Sequence, residues 1–130
     1  MPHRSTVAME WRLKKGRYTM TGSECKTCRE LYFPARLLCR KCHGETAERS
    51  FSGNGKIVTY TTISSPPAGF EEYAPYGVAL IKLDEGPIVA GQIVNEEEMG
   101  MGKRVAPVFR RLNQDGEAGV IHYGTKFEVV

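Results

Sequence analysis

Four cysteines fall in two short runs, Cys25-Lys26-Thr27-Cys28 and Cys39-Arg40-Lys41-Cys42, separated by ten residues, and the chain has no others. A CxxC turn aims two thiolates at one point, and a second such turn completes a tetrahedral set of four sulfurs suited to zinc. The insert from Arg29 to Leu38 is long enough for a short hairpin that brings the second knuckle over the first. Two disulfides use the pattern less well. Cysteines paired in CxxC more often chelate or do redox chemistry, and no signal peptide points to an oxidising compartment. A thioredoxin-like role needs one CxxC in a βαβ setting, which is missing. With Cys25, Cys28, Cys39 and Cys42 all as ligands the site is closed, so one structural ion would fold a knuckle rather than activate water.

The residues around these cysteines are basic: Lys26, Arg29, Arg40 and Lys41, with Arg36 in the insert. Four thiolates on a divalent ion leave a formal charge of −2, so nearby cations lower its cost. The same cations could bind phosphate, and the sequence leaves both readings open. His43 adjoins Cys42 but is a bystander, because the cysteines already fill the shell. Leu31-Tyr32-Phe33-Pro34 supplies apolar cover for the metal.

Other elements must hold this module. After a loose end at Met1 to Arg4, Thr6 can cap a short helix from Val7 to Lys15, closed by Gly16. Its apolar stripe, Val7 and Trp11, is narrow, and so short a helix must dock on something. Trp11, the only tryptophan, packs either on the chain's own zinc module or in a partner, where aromatic residues are enriched. Arg17 to Gly22 reads as an extended lead-in, and Gly44 to Gly55 as a polar, Gly-rich linker. That linker divides the chain into a helix-plus-ribbon module, 1–50, and a β module, 51–130.

Beyond the linker, strands are expected at Lys56–Ile63, Tyr76–Leu83, Pro87–Val94, Arg104–Leu112 and from Gly119 to the end. The second and third form a hairpin, Glu96–Glu98 makes one helical turn, and Asn113-Gln114-Asp115-Gly116 is a turn. In the last strand Ile121, Tyr123, Phe127 and Val129 alternate with His122, Gly124, Lys126 and Glu128, which marks the aromatic set as the core face. The fold class is mainly β: a short helix and rubredoxin-like zinc ribbon, then a five-stranded barrel. The OB-fold is the five-stranded solution, although periodicity alone does not separate it from an SH3-type barrel.

Composition, with 41% hydrophobic and 25% charged residues, is that of a soluble globular protein with one modest core. No run is long and apolar enough for a membrane span, so a cytoplasmic location is expected. Residues 1–50 carry eleven Lys/Arg against five Asp/Glu, whereas residues 51–130 carry seven against ten. An anionic partner is therefore sought first at the front. Catalysis is poorly supported. No cysteine remains as nucleophile, His3, His43 and His122 are scattered, and there is no P-loop or GxGxxG after a strand.

In its motifs the chain resembles the zinc-ribbon/OB-fold acyl-CoA-associated proteins, a family first catalogued as a domain of unknown function. The marks are Trp11-Arg12 and Arg17-Tyr18 before the first knuckle, and Tyr32-Phe33-Pro34-Ala35-Arg36 before the second. They continue with Gly53-Asn54-Gly55-Lys56-Ile57-Val58, Pro75-Tyr76-Gly77-Val78-Ala79-Leu80, Met99-Gly100-Met101-Gly102-Lys103-Arg104-Val105 and Tyr123-Gly124-Thr125-Lys126-Phe127. Arg29 departs from the pattern, which often has glycine there. The resemblance implies a helix, ribbon and OB barrel, and a non-catalytic role beside thiolase-superfamily enzymes. Its short archaeal members bridge acetoacetyl-CoA thiolase and hydroxymethylglutaryl-CoA synthase in the mevalonate pathway, helping to hold coenzyme A. It makes Arg36, Arg40, Lys41 and Lys126 candidates for the coenzyme's phosphates, and Tyr60, Phe70, Tyr123 and Phe127 candidates for a groove. Tyr123 and Phe127 also fit as barrel core, whereas Phe70, in a Pro/Gly loop, is expected to be exposed and with Trp11 to meet the partner. Nucleic-acid binding is the rival, weakened by the acidic balance of the barrel. An accessory role with another thiolase or a retro-aldolase is a third reading.

Overall fold

The computed structural model describes residues 6–68, 70–114 and 117–130. The loose end read at Met1 to Arg4, His3, Gly69 and the Asp115-Gly116 half of the expected turn lie outside the described residues.

Helix α1 spans Val7–Thr19, with the Thr6 hydroxyl accepting the backbone N–H of Met9 at 3.2 Å as the expected N-cap. It does not stop at Gly16. One more turn forms because Arg17 reaches back to both carboxylate oxygens of Glu10, at 2.8 and 2.9 Å, and the Thr19 hydroxyl bonds the Lys15 carbonyl. Met20, at φ 51°, takes the left-handed position that ends the helix, so Arg17 to Thr19 are helical rather than extended.

The ribbon is a three-stranded sheet in the order β2-β1-β3, formed by β1 (Thr21–Cys25), β2 (Leu31–Tyr32) and β3 (Thr46–Ser50). The expected linker is in part this third strand, antiparallel to β1 from Thr21↔Ser50 to Cys25↔Thr46. Its residues face solvent on nearly every position, which is why they read as polar linker. Five further strands, β4 (Gly55–Ile63), β5 (Tyr76–Leu83), β6 (Ile88–Ile93), β7 (Arg104–Gln114) and β8 (Ile121–Val129), close a barrel in the order β4-β5-β6-β8-β7, as an OB-fold requires. Short 3₁₀ turns at Glu71–Tyr73 and Glu96–Glu98 connect them. No helix among the described residues is long and apolar enough to cross a membrane.

Ribbon and barrel share one core. Met20 and Phe51, from the ends of the ribbon, are buried with Ile57, Ile81, Leu83 and Phe127. Closure occurs where β6 meets β8 in parallel, at Ile93↔Phe127, with the Val94 N–H donating to the Phe127 carbonyl at 2.8 Å. Along β8 the burial differs from expectation. Phe127 is core, but Tyr123 is 39% exposed, while His122, Gly124 and Lys126 of the polar set are buried. Neighbouring elements cover them: α1 brings Glu10 to His122 at 3.5 Å and its Arg17 carbonyl to the Thr125 hydroxyl at 2.8 Å. A Cβ on Gly91 would enter the Phe127 ring, so Gly91→Ala should overpack the closure and lower stability by about 1–3 kcal/mol in denaturant unfolding.

Candidate metal centre and barrel cleft

Each knuckle is shaped by its own backbone. The N–H groups of Thr27 and Cys28 point at Cys25 Sγ (3.4 and 3.5 Å), and that of Lys41 points at Cys39 Sγ (3.4 Å). The chain reverses after each pair through a residue with positive φ, Arg29 at 62° and His43 at 58°. Arg29 therefore adopts the conformation that glycine takes freely. Gly44 must be small, since a Cβ there would press on Cys42 Sγ and Thr27 Oγ1 at 3.3 Å each. Exposed His43 stands outside the sulfur cluster, as expected.

The four sulfurs lie within 4.8 Å of one another, with Cys25–Cys42 and Cys28–Cys39 at 3.4 Å and Cys28–Cys42 at 3.8 Å. The sulfurs are too far apart for disulfide bonds of about 2.05 Å. A tetrahedron with zinc–sulfur bonds of about 2.3 Å has edges of about 3.8 Å, so the donor set fits zinc. Donors also select the thiolate. The Cys42 backbone N–H and the Tyr32 hydroxyl, 3.3 Å from Cys39 Sγ, bring that thiol down to about 5. Backbone N–H groups of Cys28 and Thr27 likewise lower Cys25. Cys28 is pushed up to about 12: the Glu30 N–H favours its thiolate but is outweighed by the neighbouring sulfurs of Cys39 and Cys25.

The cations near the cysteines are largely engaged. Lys26 meets Glu45 at 3.4 Å, Arg29 meets Glu24 at 3.7 Å and Lys41 meets Glu30 at 3.1 Å. Arg36 lies 5.5 Å over the Tyr32 ring, and Arg40 is tied to the ribbon by its backbone N–H, which donates to the Tyr32 hydroxyl at 3.0 Å. Arg36, Arg40 and Lys41 thus belong to the ribbon, whereas Tyr60 is exposed on β4 and Phe127 is core. Phe70 is not free in its loop but half-buried, 5.9 Å from Tyr76 and 6.4 Å from Tyr73. Trp11 is not own-core packing: it is 74% exposed, with Lys14 5.3 Å over its ring.

Lys126 stands apart from the other coenzyme candidates. It lines a cleft of about 430 Å³ with Tyr73, Tyr76, Arg110, Arg111 and Glu96. Sequence reasoning found Lys126 but missed Arg110 and Arg111, whose one local signal is adjacent cations inside a strand. A second, mostly apolar cleft of about 380 Å³ lies where Leu13, Phe33, Val89 and Phe127 meet.

Helix, closed thiolate site and five-stranded barrel define a zinc-ribbon/OB-fold protein. Family models agree: the ChsH2 rubredoxin-like zinc ribbon domain matches residues 16–48, and the ChsH2 C-terminal OB-fold domain matches residues 48–110. The chain belongs to the DUF35 domain-containing scaffold proteins. It is 44% identical to one from Methanocaldococcus jannaschii, over 95% of this chain and 91% of the relative. Those from Methanothermobacter thermautotrophicus and Pyrococcus furiosus are 42% and 39% identical over 91% and 95% of this chain, and over 92% and 93% of their own. Among solved structures the fold is similar to a chain of the Ltp2-ChsH2(DUF35) aldolase, with TM-score 0.70, 23% identity and coverage of 99% and 98% of the two chains. A DUF35-family protein of unknown function from Sulfolobus solfataricus gives TM-score 0.57 at 18% identity, over 91% of this chain and 79% of that one.

Cys39→Ser removes a buried ligand, so it should release zinc and unfold the ribbon, read by metal analysis and circular dichroism. A fully folded, metal-free variant would refute the zinc assignment. Arg29→Gly relieves the left-handed cost while losing only an exposed ion pair, and should raise stability by about 1 kcal/mol. Acid works against the site in the usual sense for a lowered pKa. In the metal-free protein the stabilisation of the Cys39 thiolate is present above its unfolded value and lost as pH falls through about 5. Protons and zinc compete for these sulfurs, so a chelator dye should report growing zinc release as the pH is lowered.

Proposed function

We propose that this protein is a non-catalytic scaffold that bridges acetoacetyl-CoA thiolase and hydroxymethylglutaryl-CoA synthase and helps to hold the coenzyme A moiety between them. One observation carries the docking part: an aromatic row is left unburied on one side of the molecule. Trp11 and Tyr18 stand seven residues apart on α1, with Lys14 5.3 and 5.9 Å over their rings. Tyr18 meets Phe109 edge-on at 5.2 Å, and Phe109 stacks on Tyr123 at 5.6 Å. All four rings are substantially exposed, and aromatic side chains with a nearby cation are the composition of an interface core. The scaffold names of relatives that match nearly the whole chain support the same reading.

Acetoacetyl-CoA formation by thiolases is unfavourable, so immediate use of the product needs proximity more than new catalytic groups. In this reading the coenzyme draws on the candidates by module: Arg36, Arg40 and Lys41 from the ribbon, and Tyr60, Phe70 and Lys126 from the barrel. Zinc is structural, and the chain acts in the cytoplasm as a subunit of an enzyme complex.

A tagged protein recovered from its native cells after nuclease treatment should bring down a thiolase and a hydroxymethylglutaryl-CoA synthase in fixed ratio. Recovery of ribosomal or replication proteins instead, or loss of all partners to nuclease, would move the function to nucleic acid. Trp11→Glu should weaken that recovery about tenfold or more without lowering the melting temperature, because Trp11 buries little in this chain.

A further inference from the structure

Lys126 is 6% exposed, which makes it one of the few buried charged side chains of the barrel. Alternation along β8 sends it to the face opposite Phe127. There the Glu71–Tyr73 turn covers it, with Lys126 Nζ 4.6 Å from the Tyr73 ring centre. Among the described residues no carboxylate or carbonyl accepts from this ammonium. A largely buried lysine without an acceptor is costly unless something that enters the cleft compensates it. Burial, followed by the charges of Arg110 and Arg111, holds its pKa below the ordinary lysine value.

The surroundings raise that cost rather than relieve it. Val108 faces Lys126 across the β7–β8 ladder, which puts Arg110 on the neighbouring diagonal of the same face. Arg111 lines the same cleft, and its Nε donates to the Tyr73 hydroxyl at 3.0 Å while an amino group reaches Glu72 at 3.2 Å. Arg111 therefore fixes the ring that packs on Lys126. On the other wall, Glu96 Oε2 is buried and lacks any hydrogen-bond donor among the described residues. Lys126 and Glu96 line one cleft, yet they form no ion pair.

We propose that this cleft is a binding site for the phosphate group of a small molecule, held by Lys126, Arg110 and Arg111. A phosphate supplies the acceptor that Lys126 lacks, and the Tyr73 and Tyr76 rings in the same lining favour a phosphorylated compound that carries a flat moiety. This extends the coenzyme reading by adding one compound to test, but the phosphate site stands without it.

The whole zinc-loaded protein would be titrated at constant ionic strength with pyrophosphate, adenosine 3′,5′-bisphosphate and coenzyme A, followed by amide chemical shifts and melting temperature. The wild type should bind pyrophosphate saturably, with shifts centred on β7, β8 and the Glu96 turn. The bisphosphate, which carries a flat adenine for the Tyr73 and Tyr76 rings, should bind more tightly. Lys126→Met keeps the length of the side chain and removes the charge. It should weaken both ligands about tenfold or more, and melt higher than the wild type in phosphate-free buffer. Absence of saturable binding by either phosphate, or equal binding to the wild type and Lys126→Met, would overturn the site. Coenzyme A binding no better than pyrophosphate would sink the coenzyme reading and leave the phosphate site standing. The reverse failure is equally visible: coenzyme A bound equally by the wild type and Lys126→Met, with pyrophosphate unbound, would retire this cleft alone.

Discussion

The barrel closes through one residue. Phe127 pairs with Ile93, accepts the Val94 N–H, fills the core against side-chain-free Gly91 and borders the apolar cleft beneath α1. Closure ties the end of β6 to β8 at this pair. It also fixes the alternation of β8, which sets where Lys126 must go. Lys126 goes to the outer face because Phe127 has to be inside, and the Glu71–Tyr73 turn then buries it.

The ribbon depends on a different force. Its strands are short and largely solvated, too small to hold a fold by burial alone, and the four sulfurs supply the missing energy once an ion joins them. Backbone N–H groups aimed at Cys25 and Cys39 prepare thiolates before any ion arrives. Met20 and Phe51 then anchor the ribbon in the barrel core, with the Phe51 N–H donating to the Met20 carbonyl at 3.0 Å. Metal site and barrel are thereby held against each other through packed side chains rather than a tether.

Much of this was legible in the sequence, for physical reasons that differ from element to element. Metal chemistry imposes a local spacing, so Cys25, Cys28, Cys39 and Cys42 could be read directly. Barrel strands such as Gly55–Ile63 and Tyr76–Leu83 carry β-branched and alternating residues whose burial is decided by the strand itself. Misreadings arose where a distant element decided the outcome. Gly16 could not show that Arg17 and Glu10 would carry α1 another turn, and β3 looked like a linker because only its backbone is used. Tyr123 reads as core by alternation, yet Phe109 and Tyr18 gather it into an exposed row. The Lys126 cleft was least legible, since its walls come from the Tyr73 turn, β6, the Glu96 turn, β7 and β8.

The parallel seam between β6 and β8 is short, a single residue pair beside the long β7–β8 ladder. Just past it the Asn95 carboxamide imitates a strand, donating to the Val129 carbonyl at 3.1 Å and accepting the Val129 N–H at 2.8 Å. The β6–β8 line is one of two short seams of the barrel, the other being the two-pair β4–β7 seam, and breathing should begin at such lines, where few bonds must part. Gln92, Ile93 and Val94 form one lip of the Lys126 cleft and β8 forms the other, so the cleft straddles the seam. A molecule seated across both lips would act as a clasp, making the tightness of the barrel itself a function of what it carries.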